Sequence, residues 1–192
     1  MRKIFLAVAF CVVSTVFLLG QNSSSQKIDN AFVRSQFGDQ FTLVPEVPPV
    51  FGDLDGDGVQ DVVIAARCKN ALLDQASHRY HVIDPYNEYF GFGDPRMTTT
   101  FSEGDPAARG LVTLIIHGSG PEAWRSAEPK AKYVIVNLPY RSISVRKLDV
   151  SKKKSIDALY VEEAGETGIS SAVFYDMKRT RYRYVPMGGD MQ

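Results

Sequence analysis

The sequence predicts a mainly-β protein, a small antiparallel domain built of hairpins and meanders and preceded by an N-terminal signal helix. Two observations predict this class. Short runs rich in β-branched and aromatic residues recur along the chain, and clusters of Gly, Pro, Asp and Ser separate them. The expected strands span residues 41–44, 50–51, 61–66, 80–83, 111–117, 132–137, 143–147, 158–162, 171–175 and 181–185.

The N-terminal segment, residues 1–20, has the features of a secretory signal. A basic pair, Arg2 and Lys3, precedes an apolar run that extends to Gly20. We therefore expect an exported protein that is secreted, periplasmic or held at the cell surface. Retention of this segment as an N-terminal anchor is the alternative, and it would be the only membrane contact. Polar residues 21–40 are predicted to be a linker, with or without one weak helical turn around residues 30–35, that leads to a β domain at 41–192.

Charge and cysteine content indicate whether the protein binds nucleic acid and whether disulfides stabilise it. The chain has 22 basic and 22 acidic residues, and loss of Arg2 and Lys3 with the signal leaves a charge near −2. This balance does not favour nucleic acid as a partner. Cys11 lies in the signal segment, so Cys68 is the only cysteine expected in the mature chain. An internal disulfide is therefore excluded there, and stability must come from the hydrophobic core.

The densest cluster of acidic residues is the aspartate loop, residues 53–61, which reads Asp-Leu-Asp-Gly-Asp-Gly-Val-Gln-Asp. Carboxylates this close repel one another unless a cation joins them. An all-oxygen ligand set suits Ca²⁺ better than a transition metal. A solvated acidic turn is the alternative. The predicted Ca²⁺ ligands are the side chains of Asp53, Asp55, Asp57 and Asp61 and the backbone carbonyl of Val59.

The residues on either side of the loop indicate what it connects. An EF-hand needs Glu at position 12 and a helix on each side, but position 12 here is Ile64. Residues 61–66 form a β-branched run that predicts a buried strand. Pro45, Pro48 and Pro49 precede the loop and disfavour a helix there. The aspartate loop is therefore expected to join two strands.

Residues 50–63 closely resemble an FG-GAP repeat, the integrin-α type unit also called VCBS-like. The likeness lies in Phe51-Gly52, the Asp-x-Asp-x-Asp-Gly-x-x-Asp core and the apolar strand that follows. The resemblance implies Ca²⁺ bound in a β-hairpin at the edge of a propeller blade, in modules that bind ligands or surfaces and whose Ca²⁺ is structural. A blade takes roughly 40 residues, so this chain is too short to close a ring. We expect a partial, propeller-like domain with one intact repeat.

A second copy of the motif is a weaker hypothesis. Alignment of Asp53 with Asp149 places Asp157 at the ninth position, where the loop has Asp61. The middle acids are lost, with Ser151 at the third position and Lys153 at the fifth. We therefore expect a degenerate hairpin without metal, in which a lysine ammonium stands in for the cation. Chance similarity is the alternative.

These observations favour a non-enzymatic, exported, calcium-binding β protein with an adhesion, scaffold or surface-interaction role. Its ligand would be a protein or a carbohydrate. Residues 84–95 form an aromatic loop that is the candidate interaction patch if its rings are exposed, the alternative being that they pack on the protein itself.

The alternative function is a small exported hydrolase or carbohydrate-active protein that uses His117, Ser119 and Glu122. These side chains would have to converge in one pocket. The chain has no Gly-x-Ser-x-Gly nucleophile elbow to support an acyl-transfer site.

Overall fold

A computed structural model describes residues 27–92, 108–152, 154–164 and 169–188 of the chain. The expected signal at 1–20 lies outside the described residues, as does the last part of the aromatic loop, 93–95. Within the described ranges, no helix is long and apolar enough to cross a membrane.

The described chain is mainly β, as predicted, and each expected strand overlaps an observed one. The strands are β1 (Phe41–Leu43), β2 (Val50–Gly52), β3 (Asp61–Cys68), β4 (His81–Ile83), β5 (Leu111–His117), β6 (Ala131–Ile135), β7 (Tyr140–Ser151), β8 (Lys154–Glu163), β9 (Ser170–Asp176) and β10 (Arg181–Met187). The helices are short: α1 (Asn30–Phe37), α2 (Gln75–His78), α3 (Pro85–Tyr89) and a 3-10 helix at Gly120–Arg125.

The strands form two sheets. The first has the order β1-β3-β5-β6-β4, and β2 also pairs with β3. Its pairs are antiparallel except β4 with β6. Both β1 and β2 lie on the edge of β3 that faces away from β5, with Phe41 opposite Cys68 and Gly52 opposite Asp61. The second sheet is the antiparallel meander β10-β9-β8-β7, so the predicted class of hairpins and meanders is confirmed.

The first sheet is the middle layer of three. Every residue of β5 and the first six residues of β3 are buried, which explains their nearly continuous apolar sequence. Val63 and Ile115 face a core shared with the second sheet, whereas Ile64 and Leu114 face a core shared with α1. Each fully buried side chain of this size contributes roughly 1.5–3 kcal/mol to folding.

Helix α1 lies within the segment predicted to be a polar linker. The side chain of Asp29 accepts a hydrogen bond from the N–H of Phe32 at 2.9 Å and so caps the helix. Phe32, Val33 and Phe37 are buried against the first sheet. The helical turn considered for residues 30–35 is therefore a full helix over residues 30–37, because a few apolar side chains on one face of a polar segment suffice to dock it.

The region of the expected degenerate repeat is a hairpin between β7 and β8, as predicted, and Lys153 lies outside the described residues. Strands β7 and β8 pair through this region, with Asp149 opposite Ser155 and Lys147 opposite Asp157. A lysine does neutralise Asp157, but it is Lys147 on the neighbouring strand, whose Nζ lies 2.8 Å from Asp157 Oδ1. The strand pairing continues to Ser151 and Lys154, so this turn is much shorter than the aspartate loop.

Candidate metal centre

The aspartate loop connects β2 to β3 at one end of the first sheet, so the prediction that it joins two strands is confirmed. The Gly52–Asp61 pair closes the loop at its base. Gly56 and Gly58 have φ angles of 72° and 85°. This left-handed backbone is strained for residues with a Cβ atom, so the two glycines allow the sharp reversal.

The carboxylates of the loop shape its backbone. The two oxygens of Asp53 accept hydrogen bonds from the N–H groups of Asp57 and Gly58, at 3.0 and 2.9 Å. Asp57 Oδ1 accepts one from the N–H of Val59 at 2.9 Å. Each carboxylate oxygen has two lone pairs, so these bonds leave room for a metal ligand bond. Val59 enters this network through its N–H, and its carbonyl as a ligand remains a prediction.

Asp61 is the most buried acid of the loop, with only 1 % of its surface exposed. It accepts hydrogen bonds from the N–H groups of Leu54 and Gly118, each at 2.8 Å. Burial is nevertheless the main reason why the pKa of Asp61 is raised to about 7; the two hydrogen bonds lower the pKa, and the charges of Asp55 and Asp53 raise it. Burial and the acidic neighbours of Asp61 therefore disfavour its ionised form.

Three of the predicted side-chain ligands come together. Oxygens of Asp53, Asp55 and Asp61 lie within 4.8 Å of one another. Two oxygens that each lie about 2.3–2.6 Å from one Ca²⁺ are at most about 5 Å apart, so a single ion can contact all three. Asp57 is not in this group.

Lys130, just before β6, explains the position of Asp57. Its Nζ lies 2.6 Å from Asp55 Oδ2 and 2.6 Å from Asp57 Oδ2. These two carboxylates raise the pKa of Lys130 above its usual value, so the side chain is an ammonium ion. Its backbone N–H donates to the carbonyl of His117 at 3.0 Å. The contact of Lys130 with the loop could not be inferred from the sequence, because 73 residues separate Lys130 from Asp57.

His117 lies beneath the loop, in the core. Its Nδ1 is 3.4 Å from Asp55 Oδ2, and its Nε2 is 2.7 Å from the hydroxyl of Tyr182. The pKa of His117 is lowered to about 4, mainly by burial; the charge of Asp55 opposes this shift and the charge of Lys130 adds to it. The imidazole is therefore neutral at pH 7. Because an ionised carboxylate only accepts hydrogen bonds, the tautomer that suits both contacts carries its proton on Nδ1.

The contacts of His117 do not assemble the predicted hydrolase constellation. Both ring nitrogens face Asp55 and Tyr182, and the ring is 1 % exposed. Glu122 is exposed on the 3-10 helix. Within the described ranges, no contact joins His117 to the side chain of Ser119 or Glu122, so this premise of the alternative function is not met.

Two distant segments brace the loop. Gly118 follows β5 and presses so closely on the backbone carbonyl of Gln60 that a Cβ atom could not be accommodated without movement. On the other side, Asp157 Oδ2 accepts a hydrogen bond from the N–H of Asp53 at 2.9 Å. The loop is therefore held by the first sheet and by the second.

The aromatic loop is partly packed and partly exposed. Asp84 caps α3 by accepting a hydrogen bond from the N–H of Asn87 at 2.9 Å. Tyr86 packs edge-to-face on Tyr184 of β10. The C-terminal end of the described loop is more open, with Tyr89, Phe90 and Phe92 exposed by 51, 49 and 67 %.

The arrangement as a whole is a small, partly buried carboxylate cage, with a lysine at its mouth and a neutral histidine at its base. It can hold a hard cation through oxygen ligands, and within the described residues it offers no accessible nucleophile beside a base. Comparison of the chain with models of protein families, with curated proteins and with solved structures gave no match.

Proposed function

We propose that this is an exported, non-enzymatic β protein with an adhesion, scaffold or surface-interaction role, and that one structural Ca²⁺ binds in the aspartate loop. The observation that carries the proposal is the convergence of oxygens from Asp53, Asp55 and Asp61 within 4.8 Å. The alternative of a solvated acidic turn fits less well, because Asp55 and Asp61 are 5 and 1 % exposed.

The proposed role of the ion follows from the electrostatics of the loop. A buried carboxylate among other carboxylates is costly to ionise, as the raised pKa of Asp61 indicates. A divalent cation removes this cost, so its binding free energy adds to the stability of the folded protein. The ion would also fix the pairing of Gly52 with Asp61 within the first sheet and the position of Asp53, whose N–H binds Asp157 of the second sheet.

The proposed interaction role is supported by the exposed rings of Tyr89, Phe90 and Phe92. Aromatic side chains that are partly anchored and partly exposed are common at recognition surfaces for proteins and carbohydrates. Export is proposed from residues 1–20 and agrees with the type of site, because extracellular Ca²⁺ modules bind in the range of roughly 0.1–1 mM.

Calcium titration of the purified protein tests the proposal. With a Kd of roughly 0.1–1 mM, 10 mM CaCl₂ should stabilise the fold by about 1.4–2.7 kcal/mol. For a domain of this size, this corresponds to a rise in melting temperature of about 3–10 °C relative to EDTA. Isothermal titration calorimetry should give one Ca²⁺ per chain. A melting temperature that responds to neither CaCl₂ nor EDTA would contradict the proposal.

Two double variants separate the loop from general charge effects. Asp55→Asn with Asp57→Asn removes two proposed ligands and should abolish the calcium response. Asp39→Asn with Asp149→Asn removes the same charge from exposed positions outside the loop and should leave the response intact. Equal calcium responses in the two double variants would show that the aspartate loop is not the site.

A further inference from the structure

We propose that Lys130 is the resident counter-ion of the aspartate loop and that Ca²⁺ binds by displacing its ammonium group. Lys130 would then determine the calcium affinity of the site. This inference rests on the proposed calcium site and adds a residue that the FG-GAP resemblance does not supply.

Lys130 and a bound Ca²⁺ would compete for one oxygen atom, Oδ2 of Asp55. Asp55 belongs to the group of three converging carboxylates, yet its Oδ2 is also 2.6 Å from Lys130 Nζ. The Asp55 side chain is 2 % exposed, and this oxygen has no partner with hydrogen-bond geometry in the described structure. A Ca²⁺ ligated by the same atom would lie within about 5 Å of the ammonium. Two cations that close repel strongly in a partly buried site.

Asp57 is the predicted ligand that does not belong to the three converging carboxylates of the loop. Its Oδ2 is held by Lys130 at 2.6 Å, while its Oδ1 accepts the N–H of Val59. Departure of the ammonium would release Oδ2 without disturbing the backbone of the loop. Displacement of Lys130 therefore makes a fourth carboxylate available to the ion.

The ammonium group of Lys130 can leave the two carboxylates at little structural cost. Its side chain is 49 % exposed, so the ammonium can turn into water by rotation of its flexible stem. Its backbone remains fixed by the hydrogen bond from its N–H to the carbonyl of His117. The exchange thus needs a change of side-chain rotamer and no movement of β6.

The test compares Lys130→Met with Lys132→Met. Both remove one positive charge from the same stretch, but Lys132 Nζ donates to the carbonyl of Gln36, on the α1 side of the sheet. In EDTA, K130M should unfold at a lower temperature than the wild type, because the carboxylates lose their counter-ion. By calorimetry with CaCl₂, K130M should bind at least tenfold more tightly than the wild type, and K132M should differ from it by less than twofold.

The outcomes distinguish a failure of the displacement inference from a failure of the proposed calcium site. If the wild type binds Ca²⁺ and K130M binds with equal or lower affinity, the displacement inference is overturned while the proposed function stands. If neither protein responds to CaCl₂ or EDTA, both are overturned. Lys130→Gln keeps a neutral donor toward the carboxylates and should also tighten binding, so it serves if the methionine variant does not fold.

Discussion

Asp157 on β8 accepts a hydrogen bond from the backbone N–H of Asp53, the first residue of the aspartate loop, at 2.9 Å. The second sheet thus reaches across to the end of the first at the point where the loop begins. Lys147 holds Asp157 in place from the neighbouring strand. Stability of the meander and cation binding in the loop should therefore be linked.

Substitution of Asp157 tests this link. Asp157→Ala leaves a partly buried N–H without its acceptor and should cost about 1–3 kcal/mol in the free energy of unfolding, measured by urea denaturation. It should also weaken Ca²⁺ binding, because Asp53 loses its fixed position. Asp157→Asn keeps an acceptor oxygen and should be milder on both counts. Equal effects of the two substitutions would show that the hydrogen bond has no such role.

The close approach of Gly118 gives a second prediction. In Gly118→Ala, the new Cβ collides with the carbonyl of Gln60 and the backbone of Ala123. The resulting shift should weaken the hydrogen bond from the Gly118 N–H to Asp61 and destabilise the fold by about 1–3 kcal/mol. Gly188→Ala is the control, because a Cβ there meets nothing within 4 Å. Thermal unfolding should separate the two, and similar melting temperatures would contradict the prediction.

Calcium affinity should depend on pH through Asp61. Without a cation, its pKa is raised to about 7 by burial, so below pH 7 an ion must displace a proton. The apparent association constant should therefore rise with pH, by up to about tenfold per unit, and level off above pH 7. Calorimetry from pH 5.5 to 8 measures this. A constant affinity over that range would contradict the prediction.

Two buried groups should influence the stability of the calcium-free protein in opposite directions. The raised pKa of Asp61 makes stability fall as the pH rises from about 4 to 7. The pKa of His117, lowered from 6.5 to about 4 by burial, makes stability fall as the pH drops from 6.5 towards 4.

The Asp61→Asn variant should isolate the effect of His117. In EDTA, its free energy of unfolding should decrease by up to about 1.4 kcal/mol per pH unit between pH 6.5 and 4. Adding His117→Gln should flatten this dependence. If the double variant keeps the same slope, His117 is not its source.

The positions of the strands could be predicted from the sequence, but which strands pair with each other could not. The run at residues 61–66 predicted a buried strand and residues 111–117 predicted a strand, and both observed strands are buried on two faces. Such local patterns carry no information on pairing. The parallel pair of β4 with β6 and the placement of β1 and β2 along one edge of β3 are set by packing over long distances in sequence.

The candidate site shows the same division. Asp53, Asp55 and Asp61 were found because one short loop contains them all, and the structure brings them together. Lys130 and Asp157 were not connected with the site from sequence, since their contacts span 73 and 104 residues. At most one helical turn was expected where helix α1 lies, because the burial of this helix depends on three apolar side chains in a polar segment.

The sequence separation of these supports has a consequence for the order of folding. The carboxylates of the loop are close together from the moment they are synthesised, but Gly118, Lys130 and Asp157 join them only after much longer segments have closed. Contacts of this range form late in the folding of β-rich chains. We therefore expect the cage to form near the end of folding, so that Ca²⁺ would bind only to chains in which the two sheets have already packed together.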